Sequence, residues 1–81
     1  MTALHKITGY EKRTERLERA LAIPSDRLSD VMALAKVPPL DEGALGSYPL
    51  DATAVHQVSL KFGTIFNAAA FDWFLEPFSA G

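Results

Sequence analysis

The chain contains no cysteine. That excludes disulfides and thiolate zinc sites and suits a reducing compartment. Long apolar runs are missing too. None approaches the roughly 18–20 residues that a membrane helix needs. The opening MTALHKITGY has no long apolar core of the kind a signal peptide carries. The expectation is a cytoplasmic protein without a membrane partner. Histidine is scarce: His5 and His56 stand alone, with no H-x-x-x-H or H-E-x-x-H spacing to hold a metal. Gly43 and Gly46 are not followed by the Lys-Ser/Thr of a phosphate loop. An excess of positive charge is absent as well. The net charge of −2 argues against a general nucleic-acid binder. The cations between Lys12 and Arg19 are offset by Glu11, Glu15 and Glu18.

Catalytic constellations fare no better. His56 and Ser59 are three apart on a helical pattern, but no orienting acid or nucleophile elbow accompanies them. Asp72 and Glu76 share a face in either a strand or a helix, yet so short a chain leaves little room for a cleft between two carboxylates. The expectation is a non-enzymatic protein with no cofactor, no metal and no nucleic-acid partner.

What is present describes one small globular domain over residues 1–81, with 48% hydrophobic and 22% charged residues. Charge is unevenly distributed. Up to Lys36 there are seven basic residues against five acidic ones; from Val37 onward there is one against five. An acidic C-terminal half presents a field that steers a basic partner.

The stretch LHKITGYEKRTERLERALAIP has two readings. Tyr10, Thr14, Leu17 and Leu21 fall on one helical face, and Glu11 to Ala22 favour helix by propensity. The other reading is a hairpin, with strands Leu4–Tyr10 and Arg16–Ile23, a turn at Lys12–Glu15 and a bulge at Gly9. A helix follows: Ser25 or Asp26 is a candidate N-cap, and Leu28, Val31, Met32 and Ala35 form one stripe. It should stop ahead of Pro38. Pro38 to Pro49 reads as a long internal loop. Asp51 is a natural N-cap for a helix over Ala52–Phe62, with Val55, Val58 and Phe62 inward and Gly63 closing it. The ending FDWFLEPF is open. As a strand it puts Phe71, Trp73 and Leu75 on one side and Asp72, Phe74 and Glu76 on the other. As a helix capped by Asn67 it makes a stripe of Phe71, Phe74, Leu75 and Phe78.

The segments GYEKRTERL, GSYPLDATAVHQV and FDWFLE together resemble a family of small bacterial proteins. Its members carry an aromatic-Asp-Lys-x-Thr turn, a Tyr-Pro-Leu/Val segment leading a helix with a central Gln, and an Asp-Tyr-Phe-Leu-Glu ending. The matching residues are Tyr10, Lys12, Thr14, Tyr48, Pro49, Leu50, Gln57, Asp72, Phe74, Leu75 and Glu76. Glu11 and Trp73 depart mildly from the pattern, where Asp and Tyr are usual. The resemblance implies an α+β fold of order β-β-α-α-β, a small three-stranded antiparallel sheet with two helices on one face. A mostly α fold is the alternative. The family is similar in kind to the small immunity proteins that accompany bacterial toxins.

The functional expectation is a protein-binding module, with a toxin-neutralising, immunity-type role as one form of it. The partner is a basic protein or, in the alternative reading of a structural or assembly role, a second copy of the chain. The candidate interface residues are Asp41, Glu42, Tyr48, Asp51, Asp72, Trp73 and Glu76. Trp73 has two readings, core residue or interface anchor.

Overall fold

The computed structural model describes residues 5–41 and 46–78. Along the chain run β1 (His5–Glu11), β2 (Leu17–Ile23), α1 (Leu28–Leu34), β3 (Tyr48–Leu50), α2 (Ala52–Phe62) and β4 (Phe71–Pro77). The class is α+β. The sheet has four strands rather than three, in the order β2-β1-β4-β3, with every neighbouring pair antiparallel. A mostly α fold is excluded.

The hairpin forms despite the helix-favouring composition of Glu11–Ala22. Strand pairing overrides propensity here: β1 lies between β2 and β4, and β2 takes the helix formers Glu18, Arg19 and Ala20 into an extended ladder. Glu15 turns the chain with a left-handed φ of 58°. The register of β1 against β2 shifts between Gly9 and Tyr10, where the glycine suggested a bulge.

The helix ends divide into one expectation met and one corrected. Asp51 caps α2, its carboxylate accepting from the Ala54 N–H at 2.8 Å, and Gly63 closes it with φ 65°. Neither Ser25 nor Asp26 caps α1. Arg27 occupies the N-cap position, and no side chain bonds to that end. At the other end Lys36 adopts φ 58° and the Val37 N–H donates to the Met32 carbonyl at 3.1 Å, which stops the chain short of Pro38.

The strand the sequence reading lacks is β3. Three residues show no alternation to read, and its central Pro49 cannot donate to a ladder. Proline is tolerated because β3 is the sheet's edge, paired only with β4.

Both helices pack on one face of the sheet. Ile7, Ile23, Leu50, Trp73 and Leu75 from the strands meet Val31, Ala54, Val55 and Val58 from the helices in one buried cluster with Phe66 and with Ala35 at the end of α1. Among the described residues, the other face carries no helix. Lys6, Thr8 and Tyr10 from β1 lie there beside Asp72, Phe74 and Glu76 from β4.

Candidate functional site

Two central strands build the open face. In β1 the even-numbered residues point to it, and the β1–β4 register sets Lys6 opposite Glu76, Thr8 opposite Phe74 and Tyr10 opposite Asp72. Tyr10 stands edge-on to Phe74, with ring centroids 5.6 Å apart. Its hydroxyl reaches past Phe74 and donates to Glu76 Oε1 at 3.0 Å. Thr8, fully buried beneath these side chains, donates to the same oxygen at 2.5 Å, and Ser47 donates to Oε2 at 3.0 Å. One carboxylate thus gathers three hydroxyls from two separate parts of the chain.

Burial alone would raise the Glu76 carboxyl. The hydroxyls of Thr8, Tyr10 and Ser47, with the Lys6 charge nearby, outweigh it and hold the group below the usual carboxylate range. Tyr10 moves the opposite way. Its hydrogen bond to Glu76, then burial and the carboxylate charge, raise its pKa and keep it a donor.

A depressed carboxyl stabilises the fold fully above its unfolded pKa of about 4.3. That contribution is lost as pH falls through the folded value. Urea midpoints of the native protein and Glu76→Gln should therefore differ at neutral pH and converge on acidification below about pH 4. A gap that does not change with pH would show that the hydroxyls do not select the charged form.

Beside this network lies a shallow depression of about 340 Å³ lined by Tyr10, Glu15, Ser47, Asp72, Phe74 and Glu76. Three carboxylates and an aromatic pair line it, and no cation does. Two lysines lie close to its carboxylates, Lys12 beside Asp72 and Lys6 near Glu76. Lys12 Nζ sits 3.7 Å from Asp72, on an exposed pair, and Lys6 Nζ lies 5.3 Å from the ring centre of Phe78. Among the described residues, no three His, Cys, Asp or Glu converge closely enough to hold a metal ion. None of the helices among them is long and apolar enough to cross a membrane.

The structure distributes the sequence-derived interface residues widely. Asp72 and Glu76 come together on the open face. Asp41 accepts from the Tyr48 hydroxyl and, at 3.0 Å, from the Gly46 N–H, so both Asp41 and half-buried Tyr48 organise the approach to β3. Asp51 is exposed but acts as the α2 cap. Glu42 lies outside the described residues. Trp73 is 5% exposed and sits in the core, so its interface reading is corrected. The physical reason is Gly9, which faces Trp73 across the β1–β4 ladder and leaves room for the indole over the β1 backbone.

Sequence reasoning missed Thr8, Tyr10, Glu15 and Ser47 as members of the site. The alternation in FDWFLE does place Asp72, Phe74 and Glu76 on one face. The strand register that sets Thr8 and Tyr10 beside them leaves no local trace. The pairing of His56 with Ser59 dissolves in the structure. The Ser59 hydroxyl donates to the Val55 carbonyl at 2.9 Å and accepts from the Phe66 N–H at 3.2 Å, tying the segment after α2 to the helix.

No protein-family model, curated protein or solved structure matches the chain.

Proposed function

We propose that the chain is a non-enzymatic protein-binding module that receives a basic side chain of its partner on the open face of its sheet. The depression lined by Tyr10, Phe74, Glu15, Asp72 and Glu76 carries this reading. A lysine or arginine entering it meets both carboxylates and aromatic rings. At an exposed site the aromatic contact adds about 0.5–1 kcal/mol. Glu76 is held charged and oriented before any partner arrives, which lowers the ordering cost of binding. The surplus of acids after Val37 adds long-range attraction for a basic protein. An immunity-type role is one form of this function; the GYEKRT, YPL and FDWFLE segments resemble a family of small bacterial proteins that is similar in kind to immunity proteins.

The test is parallel capture from host lysate with the native protein and a Glu15→Gln/Asp72→Asn variant. Both substitutions lie at exposed positions away from the core. The expected result is one stoichiometric basic partner whose affinity weakens with salt and falls about tenfold or more in the variant. A partner bound equally by both forms, or insensitive to salt, would remove the open face from the function.

A further inference from the structure

The outer edge of β2 goes beyond the proposed function. The two edges of this sheet are unlike. On one side β3 is three residues long with proline at its centre. On the other, β2 runs for seven residues, contains no proline, and has β1 as its only neighbour. Alternate residues of an edge strand present N–H and C=O groups outward. Among the described residues, no side chain or loop takes up those groups.

Among the described residues, gaps also flank the edge from the side. Two depressions of about 260 and 290 Å³ run along β2 and meet at Leu21 and Thr64. Leu21, Phe62, Phe66 and the 92% exposed Ile65 contribute apolar lining to these depressions. Their charged lining is all of one sign: Arg19, Arg27 and Lys61, with no acid. Asp30 lies 4.0 Å from Lys61, and Arg27 Nη1 donates to the Lys61 carbonyl at 3.3 Å, but neither Arg19 nor Arg27 has an ion-pair partner among the described residues.

We infer that the β2 edge accepts an extended, acidic segment of another protein as a fifth strand. Main-chain hydrogen bonds to β2 hold it, an apolar side chain sits over Leu21, and carboxylates two residues to either side meet the arginines. This is strand addition, in which backbone bonding supplies affinity and alternate side chains supply choice. Charge decides the occupant. A second copy joined edge to edge would set the Arg19 and Arg27 groups of each chain near those of the other, whereas an acidic strand neutralises them. On the opposite face of β2, Ala20 and Ala22 are small and leave the incoming strand's outward side chains unrestricted.

The probe is the peptide acetyl-Thr-Glu-Thr-Val-Thr-Glu-Thr-amide, compared with the same peptide carrying Lys for Glu. Binding is followed by amide chemical shifts of the intact protein. The expected result is shifts concentrated in Leu17–Ile23 and affinity about tenfold or more higher for the acidic peptide at low salt. In Arg19→Glu/Arg27→Glu, both at exposed positions, the preference reverses. Of the two alternately N-methylated forms of the acidic peptide, one loses binding and the other keeps it, because only one edge of the added strand bonds to β2. Equal binding of both peptides, no shifts in β2 at millimolar peptide, or N-methylation without effect would overturn the inference. So would a β2-paired dimer seen by sedimentation, which means a second copy fills the edge. These readouts concern β2 alone, so a negative result leaves the open-face reading standing.

Discussion

Trp73→Ala is expected to cost about 3–5 kcal/mol of folding stability, the range for removing a buried large aromatic. A small domain holds about 5–15 kcal/mol in total, so the variant should sit near the edge of folding. The size of the effect follows from what the indole touches. Its edge-on contact with Phe66 has centroids 4.8 Å apart, and Phe71 lies tilted against it at 5.6 Å. Its Nε1–H donates to the Asn67 carbonyl at 3.1 Å, tying β4 to the turn that precedes it. That turn is built by the Asn67 side chain, which accepts from the N–H groups of Ala69 and Ala70. Truncation leaves a cavity opposite Gly9 and removes one of the two hydrogen bonds to the Asn67 carbonyl, which keeps the Phe71 N–H at 3.2 Å. Urea unfolding followed by far-UV circular dichroism measures the loss, since the sole tryptophan is gone from the variant. A midpoint close to that of the native protein would mean that Trp73 is not the centre of this core.

Gly9→Ala should produce the second largest loss, about 1–3 kcal/mol from overpacking. The cause is steric. A methyl at Gly9 would lie 2.6, 2.8 and 2.9 Å from three ring carbons of Trp73. The indole is buried and held by Phe66 and Asn67, so it cannot step aside as an exposed chain end would. Gly9 does not fall among the positive-φ residues, which removes backbone strain from the explanation. The two sites should therefore couple: Gly9→Ala should cost less in a Trp73→Phe background than in the native protein. Thermal unfolding of the four forms completes the cycle. Strict additivity would place the cost of the methyl somewhere other than the indole.

Much of the fold is legible locally. Asp51 and Gly63 bracket α2 because a carboxylate three residues ahead of a free N–H and a residue tolerant of left-handed φ are self-contained devices. Of the stripe Leu28, Val31, Met32 and Ala35, Val31 and Ala35 are buried and Leu28 and Met32 pack partly buried against the core. Asn67 is a more instructive case. Its capping tendency is real, but it closes a single turn, because from Phe71 the chain is committed to pairing with β1. The N-cap of α1 was misplaced because Ser25 and Asp26 satisfy the pattern while the chain enters the helix one residue later, at Arg27.

The site is less legible. Its acidic and aromatic members on β4 follow from alternation, yet the seven interface candidates mix them with a helix cap, a loop organiser and a core tryptophan. Asp41 and Asp51 look like contact residues when charge is the only guide. Their hydrogen bonds show them occupied within the chain.

By itself, then, the sequence determined the second helix with both its ends, the acidic second half and the alternation that makes the ending two-faced once it is extended. All of these rest on composition, local periodicity and capping chemistry within a few residues. Tertiary structure alone decided that Glu11–Ala22 would extend rather than coil, that Tyr48–Leu50 would join the sheet, and that Trp73 would turn inward over Gly9. It also brought Thr8, Tyr10, Ser47 and Glu76 together and left the β2 edge open. Those outcomes depend on strand register and order, which are set by the combined packing of segments more than sixty residues apart, as between Thr8 and Glu76.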